Sequence, residues 1–568
     1  MTFFDIQTYL IIKLLLVFFV ILSIVLVYKK YKPVYFLLLV GLISAASYFF
    51  FVNDMGLLFW GLQGDEVTIA AMYNIFTNSS FLGSDFAYHG FSAFYPLGFF
   101  WFFGQIGKIM DWNGIVIAKF ATFNFFLLFP VCLYYYQKKL LNFSEDFLGG
   151  KAPRSLFYLL SPLLIITILD KDLLIGKPYE VIAVAASIFW YLSLYFTILY
   201  GKWTKKIPLI YGFIAGIIFM VYYLWLIFVT LSFFIIGFFQ KKIALKKYFL
   251  YLFQTMIIAI IIAGPFIFPL ALDYFILGIE SWQTSFFTPN GLDLWLPMFK
   301  SFSFINILLL FGFIVLIYYK DNKFIKPLFF LFLTTFIWWI GGMISLLFFK
   351  VPFQEFRGFY ILAPSILAIT AAYGLERLWF YFKIKENSNL YYLFSVIGIL
   401  FFSAYSFFGF FIDYPLIKNR LIESKNIPNK IINLSNYLKS DYKINSGLTL
   451  QTIPEILAFV PINNLIYYNQ HNNHPAAIFS ERYQYILALS KSKSSEELYK
   501  KIKDCPYGDL KQFIFHSPDK KYYYLYFHLD KIIEGIEENI VRFDINLFSS
   551  EYFKEEYNND NIVIISVN

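Results

Sequence analysis

Cysteine, charge and histidine are all scarce in this chain, and each scarcity removes a class of function. The 568 residues include two cysteines, Cys132 in an apolar run and Cys505 in the polar tail. Thiols in such different settings make neither a disulfide framework nor a metal-ligand spacing. Only 15% of the residues are charged and five are histidines. His471 and His474 share a polar loop without a cysteine beside them, so no metal is expected there. A phosphate-cradling glycine loop and a Rossmann fingerprint are both missing, and no cofactor is expected. The first apolar run, Tyr9 to Tyr28, has no basic leader and is followed by Lys29-Lys30 in place of a small-residue cleavage site. It reads as a retained membrane helix.

What the chain has in abundance is apolar surface. Hydrophobic residues make up 59% and aromatics 23% of the sequence, far from the average of a soluble domain. The fold class this implies is an α-helical polytopic membrane protein. Runs of about twenty apolar residues, enough to cross a bilayer, recur as far as Phe411. They fall near 9–28, 34–52, 115–136, 155–170, 181–200, 207–221, 224–239, 248–270, 302–319, 328–349, 358–381 and 391–411, about twelve transmembrane helices in all. The segment from Tyr95 to Met110 is aromatic enough to enter the bilayer, yet Pro96, Gly98, Gly104 and Gly107 suit a helix on the surface or one that re-enters. From 412 to 568 the composition turns to Lys, Asn, Asp, Glu and Tyr, which predicts a soluble C-terminal α/β domain. Two domains are therefore expected, 1–411 in the membrane, with a large outer loop at 53–114, and 412–568 outside it.

The net charge of +9 reports topology and not a nucleic-acid partner. Basic residues of the membrane part sit in short loops on one side: Lys29, Lys30 and Lys32; Lys138, Lys139, Lys151 and Arg154; Lys202, Lys205 and Lys206; Lys241, Lys242, Lys246 and Lys247; Lys320, Lys323 and Lys326; Lys383 and Lys385. The alternate loops hold only about a third as many, which makes the first set cytoplasmic. The Asp65, Lys171–Glu180, Asp273–Lys300 and Lys350–Arg357 loops then share the outer face with the C-terminal domain.

Polar chemistry collects on that face. Gly64-Asp65-Glu66 precedes a Thr/Ile/Ala/Met run of helical spacing, so the acids fall at a helix N-terminus, where carboxylates are favoured. A helix-start role alone would explain them. Asp85 follows, with Tyr88, His89 and Tyr95-Pro96 nearby and little other charge, and acids at the mouth of a membrane bundle are functional candidates. Lys177-Pro178-Tyr179-Glu180 makes a compact charged turn, in which Lys177 either snorkels or binds an anion. Trp282 either anchors at the interface or stacks on a sugar. Arg357, at an outer helix start, can grip a lipid-linked phosphate through paired donors or anchor at the interface.

This set suits transfer of a group from a lipid carrier. A polyprenyl-phosphate donor stays among the helices, and its departing phosphate needs Lys or Arg. The acceptor hydroxyl needs a carboxylate to take its proton. One carboxylate suffices for a single displacement that inverts the sugar centre.

At these residues the sequence also resembles a family. Gly64-Asp65-Glu66, Ser84-Asp85-Phe86-Ala87-Tyr88, Phe94-Tyr95-Pro96-Leu97-Gly98-Phe99-Phe100-Trp101 and Lys177-Pro178-Tyr179-Glu180 resemble stretches of the AftA-type galactan arabinofuranosyltransferases, members of the GT-C membrane glycosyltransferases. His474-Pro475-Ala476-Ala477 with Glu481-Arg482, and the closing strand Ile562 to Val567, resemble that family's C-terminal domain. The resemblance implies a GT-C fold, a polyprenyl-phosphoryl arabinofuranose donor and an envelope glycan acceptor. It further implies a multi-pass protein of the bacterial plasma membrane with its active site and C-terminal domain extracytoplasmic. Asp65 becomes the candidate general base, with Glu66 or Asp85 positioning the acceptor. Lys177 and Arg357 are the phosphate candidates, Arg357 on charge alone. Substrate contacts are expected from His89, Tyr95, Glu180, Trp282, His474 and Arg482.

The alternative nearest to this keeps the GT-C fold and changes the sugar on the lipid. A lipid-linked glycan transporter or flippase would need ionisable residues near mid-membrane and repeated halves, and neither is evident. In the C-terminal domain, periodicity predicts helices at 429–439, 482–490 and 496–503 and strands at 448–452, 464–468, 512–516, 522–527 and 561–567. That domain either holds the acceptor or braces the outer loops.

Overall fold

The structure, a computed structural model, describes residues 3–53, 55–58, 61, 64–78, 84–141, 153–200, 204–239, 245–280, 296–299, 302–349, 351, 354, 356–382, 389–405, 424–440, 447–519, 521–531, 535–549 and 551–568. Each expected apolar segment is helical over most of its described length. Among the described residues, six helices are long and apolar enough to cross a membrane: Leu10–Tyr28, Pro33–Val52, Gly114–Leu141, Pro178–Tyr200, Ile325–Phe349 and Gly358–Tyr381. Others are shorter. Ser155–Ile168, at 14 residues, extends only about 21 Å at the α-helical rise, against about 30 Å of hydrocarbon. The expected single helix at 248–270 is instead two, Leu245–Ile262 and Gly264–Leu277, bent by 82°. Gly264-Pro265 causes the break, because proline has no N–H to donate and its ring excludes a continued helix.

A half-buried lysine and a buried glutamate fix two of the helix ends. Lys119 Nζ donates to Val52 O at 3.3 Å and to Met55 O, closing the end of the Pro33–Val52 helix. Glu376, fully buried, accepts from the N–H groups of Arg154 and Phe157 at 2.9 Å each, at the start of the Ser155–Ile168 helix. Both satisfy orphan groups that a helix terminus leaves.

The Asp65–Asn78 helix opens directly on the acidic pair. Two glycines let its neighbours approach. A Cβ on Gly114 would lie 1.9 Å from Ala70 O, and one on Gly104 would lie 2.5 Å from the Phe76 Cβ. The Gly98–Met110 helix buries Phe99, Phe100, Phe103, Gly104 and Gly107 on one face and leaves Phe102, Ile109 and Met110 exposed, the stripe of an amphipathic helix.

The described residues of the C-terminal part hold six strands: β1 (Leu448–Gln451), β2 (Leu510–His516), β3 (Tyr522–Lys531), β4 (Gly535–Asp544), β5 (Phe553–Asn559) and β6 (Ile562–Val567). Their order is β4-β3-β2-β6-β5, antiparallel, with β1 parallel to β2. One face packs on the Phe479–Ser490 and Ser495–Lys503 helices through Phe513, Phe515, Leu525, Phe527 and Val563. On the other face Ile514, Ile562 and Ile564 join the main core together with Ile431, Leu434 and Leu438 of the Asn429–Ser440 helix. The expected boundary at 411/412 lies outside the described residues.

The expected strand at 464–468 is a docking segment. Asn464 pairs only as an isolated bridge with Thr449, while its backbone N–H and side-chain amide both donate to Ala87 O, at 2.9 and 2.8 Å. Asn74 Nδ2 donates to Leu457 O at 2.9 Å, and Tyr467 N–H to the Tyr88 hydroxyl at 2.7 Å. These bonds seat the sheet domain on the 84–97 loop and on the helix that begins at Asp65.

Candidate active site

Four charged side chains alternate in sign from the surface inward. Asp65, half-exposed, receives Lys177 Nζ at 2.6 Å; the same nitrogen lies 3.9 Å from Glu180 Oε1; and Arg357 NH1 lies 3.3 Å from Glu180 Oε2. Local sequence explains the placement. Pro178 opens a helix, as proline does well at a first position, so Lys177 stands just before the first turn and Glu180, 0% exposed, within it. Arg357 directly precedes a wide π-helical turn, Gly358–Leu362, and its Nε donates to Gln354 Oε1 at 2.8 Å. Turns of that kind recur at functional sites. Burial raises the Asp65 carboxyl, but Lys177, with Arg357 and His471 further off, outweighs it and holds the group below its ordinary range. Asp65 is an anion clamped by a cation.

Tyrosines wall the inner end. The hydroxyls of Tyr95 and Tyr179 are 3.2 Å apart, and the Tyr222 ring lies 5.9 Å from Tyr95 and 5.8 Å from Tyr179. Tyr223 stacks on Tyr222 at 5.9 Å. Tyr222 and Tyr223 occupy the break between the Lys206–Val221 and Leu224–Phe238 helices. Sequence reasoning missed them; a Tyr-Tyr pair between two apolar runs was the available signal. Among the described residues no group of three or more His, Cys, Asp or Glu is placed to hold a metal ion.

Solved structures align with nearly the whole of this arrangement. ArnT from Cupriavidus metallidurans bound to undecaprenyl phosphate is 11% identical at a TM-score of 0.51, covering 93% of this chain and 97% of that one. ArnT from the same organism in the apo state is 10% identical at a TM-score of 0.51, covering 94% and 97%. The chain has the GT-C fold of ArnT. No protein-family model and no curated protein matches the sequence. The expected GT-C class is thus met at the level of fold, and the likeness to ArnT does not extend to the AftA-type assignment.

The contacts of Asp85, His89, His474 and Arg482 run to other parts of the protein. Glu66, half-buried, is the second residue of its helix. Asp85 is buried and closes its own turn, Oδ1 accepting from the N–H groups of Ala87 at 2.9 Å and Tyr88 at 3.2 Å. It lines a small cavity with Met72, Tyr95 and Phe100. The His89 backbone donates to Asn463 Oδ1 at 3.0 Å, and its Nε2 is buried without a partner among the described residues. Burial pushes that imidazole down to about 4, so it is neutral. His474 uses both ring nitrogens internally, Nε2 donating to Ser92 O at 2.9 Å and Nδ1 accepting from Ala476 N–H at 3.1 Å. Arg482 donates to Ala477 O and Leu465 O at 2.6 Å each, and its guanidinium lies over Tyr507 and Tyr88. Through these contacts His474 and Arg482 themselves brace the 465–477 segment and the Ser92 loop. Trp282 lies outside the described residues.

Burial, opposed by backbone N–H groups, pushes the Asp85 carboxyl up to about 7. The folded state therefore holds a proton that the unfolded chain releases near pH 4, so stability falls as pH rises between about 4 and 7 and is flat above. Asp85→Asn keeps the acceptor oxygen and removes the ionisation. Melting curves across that window should be flatter for the variant, by up to about 4 kcal/mol; equal slopes would remove Asp85 as the source.

Proposed function

We propose that the chain is an ArnT-like membrane glycosyltransferase, which moves a sugar from a polyprenyl-phosphate donor to an envelope glycan by one inverting displacement. Its motifs favour arabinofuranose as the sugar. The active site and the C-terminal domain face outward across the plasma membrane, as the distribution of basic loops suggests. In this reading the acceptor hydroxyl oxygen bonds to the sugar's anomeric carbon while the bond from that carbon to the phosphate oxygen breaks. Asp65 takes the hydroxyl proton, and Lys177 and Arg357 stabilise the negative charge gathering on the phosphate. Glu180 holds the two cations at a fixed spacing.

The observation that carries the reading is the exposed Asp65 carboxylate paired with Lys177, backed by the buried Glu180–Arg357 pair, on the fold of a protein solved with undecaprenyl phosphate. The test is transfer by the purified protein from defined polyprenyl-phosphate sugars to fractionated envelope glycans. The expected result is a glycoside of inverted configuration, formed from the arabinofuranosyl donor. Transfer from a hexosyl or aminosugar donor alone would replace the sugar and keep the chemistry. Absence of transfer from every donor would overturn both.

A further inference from the structure

The outer domain carries a row of rings on the open face of its sheet. Along β3, Tyr523, Leu525 and Phe527 are buried in the domain core, so the alternate residues Tyr522, Tyr524, Tyr526 and His528 share the opposite face. Six steps of strand spread them over roughly 20 Å. Ring contacts run along it: Tyr522 to Tyr524 is 6.4 Å, Tyr524 to Tyr526 is 6.5 Å and near-parallel, Tyr526 to His516 of β2 is 5.1 Å, and at the far end His528 to Tyr468 is 5.2 Å. β4 pairs alongside and adds Arg542 beside Tyr524 and Ile540 beside Tyr526, the latter 42% exposed. The other half of this face, at β2 and β6, is covered where Ile514, Ile562 and Ile564 join the core that includes the Asn429–Ser440 helix. The ring row is the half left partly open, with Tyr522 39% exposed and Tyr524, Tyr526 and His528 half-buried.

It leads to the charged mouth. His528 N–H donates to Tyr468 O at 2.9 Å and Asp530 N–H to Gln470 Oε1 at 2.9 Å, which binds the 468–470 segment to the end of the row. Beyond that segment, the Tyr467 hydroxyl lies 3.3 Å from the hydroxyl of Thr68, and Asn472 Nδ2 donates to the same oxygen at 3.4 Å. Thr68 is one turn along the helix that begins at Asp65.

Ring type and charge select the occupant. Tyrosine has an apolar face and a hydroxyl tip, which matches a sugar ring with its C–H face and hydroxyl rim. Charges along the row are mixed, Arg542 between Glu538 and Asp544, so no field is built for a polyanion. We propose that this row is the track for a neutral acceptor glycan, which lies across Tyr522, Tyr524, Tyr526 and His528 with its growing end at Asp65. The track rests on the transfer reading above for its direction, and on the rings for its existence.

The experiment uses the full chain in lipid nanodiscs with short and long neutral oligosaccharides, galactan and arabinan ladders, and measures both equilibrium binding and transfer. In the wild type, affinity should rise with oligosaccharide length. Tyr524→Ala with Tyr526→Ala should weaken binding of the long oligosaccharides on the order of tenfold. It should also raise KM for them without changing kcat, and leave short ones unaffected. Should the pair fail to fold, Tyr526→Ala alone, at roughly a threefold loss, decides the matter, and Tyr526→Trp should restore binding. Unchanged length dependence in these variants, or no binding of any long oligosaccharide to the wild type, overturns the track. Ring-dependent binding without transfer overturns the transfer reading and leaves the track standing. Loss of nanodisc stabilisation in place of glycan binding would make the row a membrane contact and overturn the track as well.

Discussion

Asp65→Asn should abolish sugar transfer, by on the order of a hundredfold to ten-thousandfold, while donor lipid remains bound. The substitution keeps size and shape at the start of its helix and removes only the charge that accepts a proton. Asp65 is half-exposed and its partner Lys177 is 2.6 Å away, so the carboxylate and an incoming phosphate compete for one ammonium group. Two consequences follow from that competition. Donor affinity in the variant should be equal to or tighter than that of the wild type, because Lys177 is released. In the wild type, arrival of the phosphate draws Lys177 away and lets the Asp65 carboxylate regain basicity, since its lowered proton affinity comes from that cation. Transfer should therefore fail on the acid side only, as pH falls through a pKa that donor binding shifts upward. Radiolabelled donor retention and single-turnover rates measure both consequences. Full turnover by Asp65→Asn would remove this residue from the reaction.

Much of this geometry is legible in the sequence, for a physical reason. Membrane helices declare themselves by length and hydropathy, and charged residues between them are few enough that each one is conspicuous. Asp65, the Lys177/Glu180 pair and Arg357, from three separate loops, meet in one chain of ion pairs. What sequence conceals is the destination of side chains with local bonds available. Asp85 looks like a second acid for the mouth, yet short-range hydrogen bonds to Ala87 and Tyr88 turn it into its own loop. His474 and Arg482 sit in a motif that suggests recognition, but carbonyls of Ser92, Ala477 and Leu465 take them as donors.

The elements that escape a reading by periodicity share a second cause. β4 and β5 are edge strands, and their sequences, GIEENIVRFD and FKEEYNN, are polar over much of their length because one face and one edge remain in water. A strand with so little buried surface leaves a weak period. Tyr222 and Tyr223 are hidden in the opposite way: hydropathy places the break between two apolar runs at these residues, but it carries no sign that their rings turn in toward Tyr95 and Tyr179. An identity of 11% to ArnT across the full fold is consistent with this. Apolar bundles accept wide substitution at constant volume and patterning, so one fold can be built from very different sequences.

Arg357 should show the second large effect, and in two separable parts. Arg357→Ala removes the main partner of Glu180, which is 0% exposed. Breaking a buried pair from one side leaves an uncompensated charge, at a cost of about 3 to 5 kcal/mol. The remaining cation, Lys177, lies 3.9 Å from Glu180, so the lower end of that range is expected, seen as a lowered melting temperature. Transfer should fall further than stability explains, because the departing phosphate loses a donor that acts as charge builds. Arg357→Lys separates the two parts: it keeps the charge and most of the stability but loses the planar fork. Its melting temperature should recover while its kcat stays low. A lysine variant with wild-type turnover would reduce Arg357 to a structural ion, and an alanine variant that melts like the wild type would show that the Arg357–Glu180 pair does not stabilise the fold.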